Sequence, residues 1–156
     1  MRRKNQEITD NKIIEEILSK SEICRLGFID NGLPYIIPFN YGYSDKSIYI
    51  HSAPDGKKID LLKQNPRVCF EIELISQITK HNEPCHWSTK YKSVIGYGSV
   101  EIIRDYEQKI KGLDIIMSHY DTKEPKKYNK NQVNKIVILK LNIEKITGKQ
   151  SNNWID

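Results

Sequence analysis

Asn31-Gly32 lies between two β-prone runs, Ser21 to Ile29 and Pro34 to Tyr43, and constrains this chain more than any other feature. Asn-Gly accepts the positive φ of a two-residue turn, so the flanking runs are expected to pair antiparallel as a hairpin. Within the first run Cys24, Leu26 and Phe28 fall on one face, which marks that side as core. Ser44-Asp45-Lys46 turns the chain into a third strand, Ser47 to His51. Further strands are expected over Arg67 to Ile75, Tyr91 to Arg104 and Ile136 to Ile146. The last of these alternates Val137, Leu139, Leu141 and Ile143 with Lys140, Asn142 and Glu144. Ser76 to Pro84 reads as polar and irregular.

Helical patterns occupy the margins. Thr9 or Asp10 can cap a helix over about 10–19, with Ile13, Ile14, Ile17 and Leu18 on its apolar face. A short helix is expected over Gly56 to Gln64, and a longer one over Glu107 to His119 that buries Ile110, Leu113, Ile116 and Met117. Short turns between strands predict a mainly β fold, a small antiparallel barrel with flanking helices. There is no strand–helix–strand alternation and no Gly-x-Gly-x-x-Gly, which argues against a Rossmann domain. At 156 residues the chain is read as one domain over 1–156, with a C-terminal tail from about 148.

The stretch from His51 to Lys58, His-Ser-Ala-Pro-Asp-Gly-Lys-Lys, points to an anion. Asp55 is a candidate N-cap and Gly56 permits a tight entry, which puts Lys57 and Lys58 in the first helical turn. The positive end of a helix dipole repels cations there, while its unpaired amides favour a negative ligand. A phosphate among them turns the repulsion into attraction. A solvated lysine pair is the equally weighted alternative for the motif alone.

The formal net charge of +5 suits anionic ligands. Lys123 to Lys130 is basic, yet reads best as a solvated loop, and no aromatic residues interleave with basic ones as a nucleic-acid face would need. Nucleic acid is therefore not an expected partner. No apolar run approaches the ~20 residues of a membrane span, and the basic N-terminus lacks the apolar segment of a secretory signal. No membrane association and a cytoplasmic location are expected. Cys24, Cys69 and Cys85 show no paired spacing and are read as free thiols. His81, Cys85 and His86 suggest zinc, but no fourth ligand is evident, so no metal is expected.

Several pieces in order carry a resemblance: Cys24-Arg-Leu-Gly-Phe28, Pro34-Tyr-Ile-Ile-Pro-Phe-Asn40, Tyr49-Ile-His-Ser-Ala-Pro-Asp-Gly-Lys-Lys58, Asn65-Pro-Arg-Val-Cys-Phe-Glu71, Pro84-Cys-His-Trp87, Tyr91-Lys-Ser-Val-Ile-Gly-Tyr-Gly98 and the closing Ile146-Thr-Gly-Lys149. Together they resemble the pyridoxamine 5'-phosphate oxidase-like flavoproteins, and most of all their nitroimidazole-resistance (Nim-type) branch. The resemblance implies a split antiparallel β-barrel that forms a homodimer and binds flavin mononucleotide (FMN) at the subunit interface.

It also implies roles. Ser52, Lys57 and Lys58 would hold the flavin phosphate, Lys58 being the better candidate. Pro38, Phe39, Asn40 and Tyr41 would present backbone groups to the polar edge of the ring. His51, on a strand where an isolated histidine is usually scenery, becomes the candidate for substrate contact and proton delivery. Trp87, Tyr91 and Ser93 resemble positions that approach the cofactor from the partner subunit, where an indole or phenol could cover the ring, with a hydrophobic interface anchor as the equally weighted alternative. Gly96 and Gly98 suggest a close approach to the strand, by a second backbone or a ligand, with Tyr97 between them. The implied activity is an FMN-dependent oxidoreductase that reduces a small electron-poor acceptor, such as a nitroimidazole-type nitro compound. A pyridoxamine 5'-phosphate oxidase-like enzyme and a non-catalytic flavin-binding protein are the alternatives, and haem or deazaflavin the alternative pigments.

Overall fold

A computed structural model describes residues 4–120 and 126–151, with the side chains of 75 and 76 excepted. In chain order the elements are β1 (Glu7–Ile8), α1 (Asn11–Lys20), β2 (Ile23–Asp30), β3 (Leu33–Asn40), β4 (Gly42–Ser44), β5 (Ser47–Ser52), α2 (Lys57–Gln64), β6 (Arg67–Thr79), β7 (Ser88–Ile103), α3 (Tyr106–Tyr120), α4 (Lys130–Asn134) and β8 (Val137–Gln150). All strand pairs are antiparallel, in the order β3-β2-β6-β7-β8-β5-β4, with β1 added to β8. The fold is mainly antiparallel β with few helices, consistent with a split barrel.

The hairpin expectation holds in register. Asn31 and Gly32 have φ of 49° and 82°, and Asp30 faces Leu33 across the turn. Asp45 and Lys46 make the second tight turn, also at positive φ. The run read as one strand from Pro34 to Tyr43 is instead two. It breaks at Tyr41, so that β3 pairs with β2 and β4 pairs with β5. These are the two ends of the sheet, joined covalently by a single residue. The Tyr41 ring is fully buried and its hydroxyl donates to the Leu18 carbonyl at 2.7 Å, so burial of one large side chain decides where the strand divides.

The sheet curls around a core that includes Leu26, Phe28, Ile48, Ile50, Phe70, Ile72, Leu139 and Leu141. Ile14, Ile17 and Leu18 of α1 and Ile59, Leu61 and Leu62 of α2 pack into it. Asp10 is the cap of α1, accepting from the Lys12 amide. Helix α3 packs on the outside of β4, β5 and β8, where Ile103, Ile116 and Ile138 form a second cluster. Its buried face differs from the expected one, since Met117 is exposed and Lys109 and Gly112 are buried. The Lys109 ammonium donates to the Val133 and Ile136 carbonyls, which satisfies its hydrogen-bonding needs and ties α3 to the segment before β8.

Other boundaries move as well. β6 continues through Ser76 to Thr79 and β7 begins at Ser88, so much of the stretch expected to be irregular is a hairpin. The tail expected from 148 starts later, because β8 runs to Gln150 and Ser151 is buried; 152–156 lie outside the described residues. Of the basic loop, 123–125 also lie outside them, and Lys130 opens α4. Among the described residues no helix is long and apolar enough to cross a membrane.

Candidate functional site

The loop after β5 delivers α2 to the end of the β2–β3 hairpin. Gly56, not Asp55, is the N-cap; its φ of 96° lies in the left-handed region that glycine tolerates, and no side chain caps the helix. The Gly56 carbonyl accepts from the Ile59 and Asp60 amides. The amides of Lys57 and Lys58 therefore begin the helix without a side-chain acceptor, the usual setting for an anion.

The two lysines differ. Lys57 Nζ lies 2.6 Å from Asp30 Oδ2 and 4.6 Å from the centre of the Tyr35 ring. The hydrogen bond to Asp30 raises its ammonium above the ordinary lysine value. Lys58, half-buried, has no such pair among the described residues. Asp30 and Tyr35 are residues that the sequence reading missed, since nothing local shows that a hairpin turn meets residue 57.

His51 points away from the main core, exposed at the end of β5, between buried Ile50 and Ser52. Ser52 is buried and its hydroxyl donates to the Ala53 carbonyl at 2.9 Å, so it is engaged in shaping the loop. On β3, Pro38 and Asn40 are exposed, while Phe39 packs against the core. The strand is paired on one side only, which accommodates Pro34 and Pro38 and leaves its outer edge open. Tyr41 cannot offer its ring, and its amide donates to the Tyr120 hydroxyl at 2.9 Å.

Trp87, Tyr91 and Ser93 lie elsewhere in the chain. Gly27 faces Cys69 and Cys24 faces Ile72, so β2 runs toward the Arg67 end of β6, and Asp30 with Lys57 sits at that end. Trp87 follows the other end. Thirteen residues of strand, at roughly 3.3 Å each, separate the two by up to about 40 Å. Tyr91 and Ser93 are inside β7, opposite Ile75 and Glu73. Within one chain these three do not join the lysine corner.

Gly96 and Gly98 are explained internally. A Cβ at Gly96 would strike the Phe70 ring and the Lys145 carbonyl, and one at Gly98 the Asn142 carbonyl, beside a register shift at Tyr97/Gly98. No ligand is needed to account for them.

The outer face of the sheet carries a second feature missed by the sequence reading. Ile36, Gly27, Cys69 and Tyr97 form one cross-strand row, and Pro38, Arg25, Glu71 and Ile95 the next. Ile29, Ile36, Ile95 and Tyr97 are all exposed, and a shallow groove of about 410 Å³ runs between Ile36, Ile29 and Cys69. Arg25 binds Glu71 at 2.9 Å and Glu73 at 3.4 Å beside this groove. Burial raises the Glu71 carboxyl, against the pull of Arg25. The three cysteines are free thiols. His81 and His86 do converge, but with Glu83 in place of Cys85.

Similar proteins give this geometry a context. The chain is 36% identical to a candidate 5-nitroimidazole antibiotic resistance protein from Bacteroides thetaiotaomicron, over 92% of this chain and 86% of that one, with a TM-score of 0.82. A FAD-binding protein from Mesorhizobium loti is 25% identical, over 94% and 97% of the two chains, at a TM-score of 0.70. An uncharacterised protein of Rhizobium meliloti (strain 1021) is 34% identical over 56 residues, a match that spans only 36% of either chain. The family model described as pyridoxamine 5'-phosphate oxidase matches residues 10–150, nearly the whole described barrel. The fold, the sequence likeness over most of the chain and the flavin-binding relative support a flavin-related function, and the chain belongs to the pyridoxamine 5'-phosphate oxidase family.

Proposed function

We propose that this protein is a homodimeric FMN-dependent oxidoreductase that reduces a small electron-poor acceptor, a nitroimidazole-type nitro compound being the leading class. The observation that carries the reading is the uncapped start of α2, where the Lys57 and Lys58 amides have no side-chain acceptor and Lys58 has no ion pair among the described residues, at the helix end that Lys57 ties to Asp30 and Tyr35 of the β2–β3 hairpin. That donor set fits a phosphate dianion. Likeness to a candidate nitroimidazole-resistance protein and to a FAD-binding protein supports the acceptor class and the cofactor class respectively. Bound FMN supplies two-electron chemistry that no side chain here can perform.

The chain's own residues would bind, orient and protonate. Lys58 and the Lys57 and Lys58 amides would hold the phosphate. Backbone groups of Pro38 to Asn40 would meet the polar edge of the ring. His51, exposed and with no hydrogen-bond partner among the described residues, would hand a proton to the reduced acceptor. Ser52, Phe39 and Tyr41 would act from behind by fixing the loop and the edge strand.

A second copy is part of the same proposal. The apolar outer face is larger than isolated exposed side chains would produce and is available for burial. Burying it would also let the β6–β7 hairpin of the partner bring a Trp87, a Tyr91 and a Ser93 toward the lysine corner, which their own chain cannot do. Three free thiols suit the reducing cytoplasm in which we place the enzyme.

The test is anaerobic reduction of the FMN-loaded protein followed by stopped-flow mixing with a nitroimidazole. Oxidation of the protein-bound flavin at least tenfold faster than free reduced FMN is expected. A rate equal to that of free FMN would leave a storage module, and turnover of pyridoxamine 5'-phosphate with peroxide release would establish the oxidase alternative instead.

A further inference from the structure

Among the described residues β6 pairs with no strand but β7 beyond Ile72, and β7 leaves β8 at Lys92. Gln77 to Thr79 and Ser88 to Lys90 thus form a two-stranded arm that projects past the sheet. An isolated two-stranded ribbon is marginal in water, yet the tip of this one is highly organised. The His86 amide donates to the Glu83 carbonyl at 3.0 Å and the Trp87 amide to the Pro84 carbonyl at 3.2 Å. The Trp87 indole donates to the His81 carbonyl at 2.7 Å. These bonds hold three side chains over one point in solvent. His86 Nδ1 lies 3.1 Å from Glu83 Oε2, the His81 and His86 rings meet edge to face at 4.8 Å, and the donor atoms of His81, Glu83 and His86 all fall within 4.8 Å of one another.

We infer that this tip is a divalent transition-metal site, with His81, Glu83 and His86 as ligands and zinc as the natural occupant. Two imidazoles and one carboxylate are a zinc donor set, and they rank copper and nickel above cobalt. Ligands at ~2.0–2.2 Å from a tetrahedral ion sit roughly 3.4 Å apart, so the present spacing closes by side-chain rotation alone. All three are exposed, and the contacts that now orient them are with one another and with the Glu83 amide. The backbone N–H of Glu83, which now donates to His81 Nδ1, would be released when that nitrogen turns to the ion. A three-ligand ion keeps a position open for water. Cys85, exposed between Pro84 and His86, is outside the convergent set. The sequence alone offered only His81, Cys85 and His86; the turn at Pro84–His86 exchanges the thiol for Glu83. Bound metal would lock the arm that carries Trp87. The site rests on nothing in the flavin reading.

The test is titration of the chelator-stripped full-length protein, without FMN, with Zn²⁺ by calorimetry and with Co²⁺ by absorption. One ion per chain with a Kd near micromolar (about −8 kcal/mol) is expected. Glu83→Gln should weaken it at least tenfold and His81→Asn or His86→Asn more, while Cys85→Ser leaves it unchanged. Because all four positions are exposed, circular dichroism should report an unaltered fold. In a Trp154→Phe background Co²⁺ should quench the emission of Trp87. Binding weaker than millimolar, binding insensitive to both histidine substitutions, or binding abolished by Cys85→Ser would each overturn the inference.

Discussion

Adjacent lysines at the start of α2 divide the work between them. Lys57 is already neutralised by Asp30 and rests on Tyr35, so it staples the helix to the β2–β3 hairpin. Under the proposed function, Lys58 is the cation left for an incoming phosphate. Loss of one charge-assisted hydrogen bond typically costs ~1.5–3 kcal/mol, so Lys58→Ala should weaken FMN binding roughly 10–100-fold. Lys57→Ala should weaken it by no more than about threefold. Fluorescence titration of the two variants checks this, and a reversed order would assign the phosphate to Lys57. The sequence made this corner legible because charge against a helix dipole is a local contradiction, visible without coordinates. It placed the cap one residue early, at Asp55, because a glycine cap leaves no side-chain signature. It could not show Asp30, whose approach to Lys57 depends on where a distant hairpin ends.

At the scale of elements, packing overrides pattern. Pro34 to Tyr43 has continuous strand propensity, and only the buried ring of Tyr41 divides it. Helix α3 reinforces that break: the Tyr120 hydroxyl accepts from the Tyr41 amide and donates to the Glu22 carbonyl. Just beyond, a Cβ on Gly42 would come within 2.6 Å of Ile116 Cα on α3. Backbone cannot yield as a side-chain tip can, so Gly42→Ala should destabilise by about 1–3 kcal/mol. A thermal melt with an unchanged midpoint would contradict that packing. Helix α1 is pinned differently. The hydrogen bond from Lys20 and the nearby Lys92 charge hold the Glu16 carboxyl below its ordinary value of 4.5. A depressed carboxyl contributes stability above its unfolded-state value that is lost as pH falls through the folded one. The stability gap between wild type and Glu16→Gln should therefore close as pH drops below about 4.5. Solvent screening keeps the gap under ~1 kcal/mol. Denaturant melts at several pH values would show it, and a gap that widened in acid would refute it. The α1 pattern was legible because period and cap agreed. The arm of β6 and β7 was not, because Ser76 to Pro84 is polar but for the exposed Ile78, and no apolar alternation marks a strand there.

For the whole molecule, the barrel class followed from short turns and the absence of crossover helices. The joining of its two end strands did not, because linking β3 to β4 through one residue is a tertiary fact. Nor did the outer face, whose Ile29 and Ile36 come from the β2–β3 hairpin and Ile95 and Tyr97 from β7, far away in sequence. In the proposed homodimer that face is buried against a second copy. Ile36→Lys, at an exposed position, should leave the subunit folded and convert the sedimenting species from dimer to monomer. An unchanged dimer would move the interface elsewhere. The proposed phosphate site at the start of α2 is probed by comparing FMN with riboflavin, since the two differ only in that group. Wild-type protein should bind FMN about 100-fold tighter than riboflavin, a difference near 2.7 kcal/mol, and Lys58→Ala should erase most of the preference. Equal affinities for the two flavins in the wild-type protein would contradict the account.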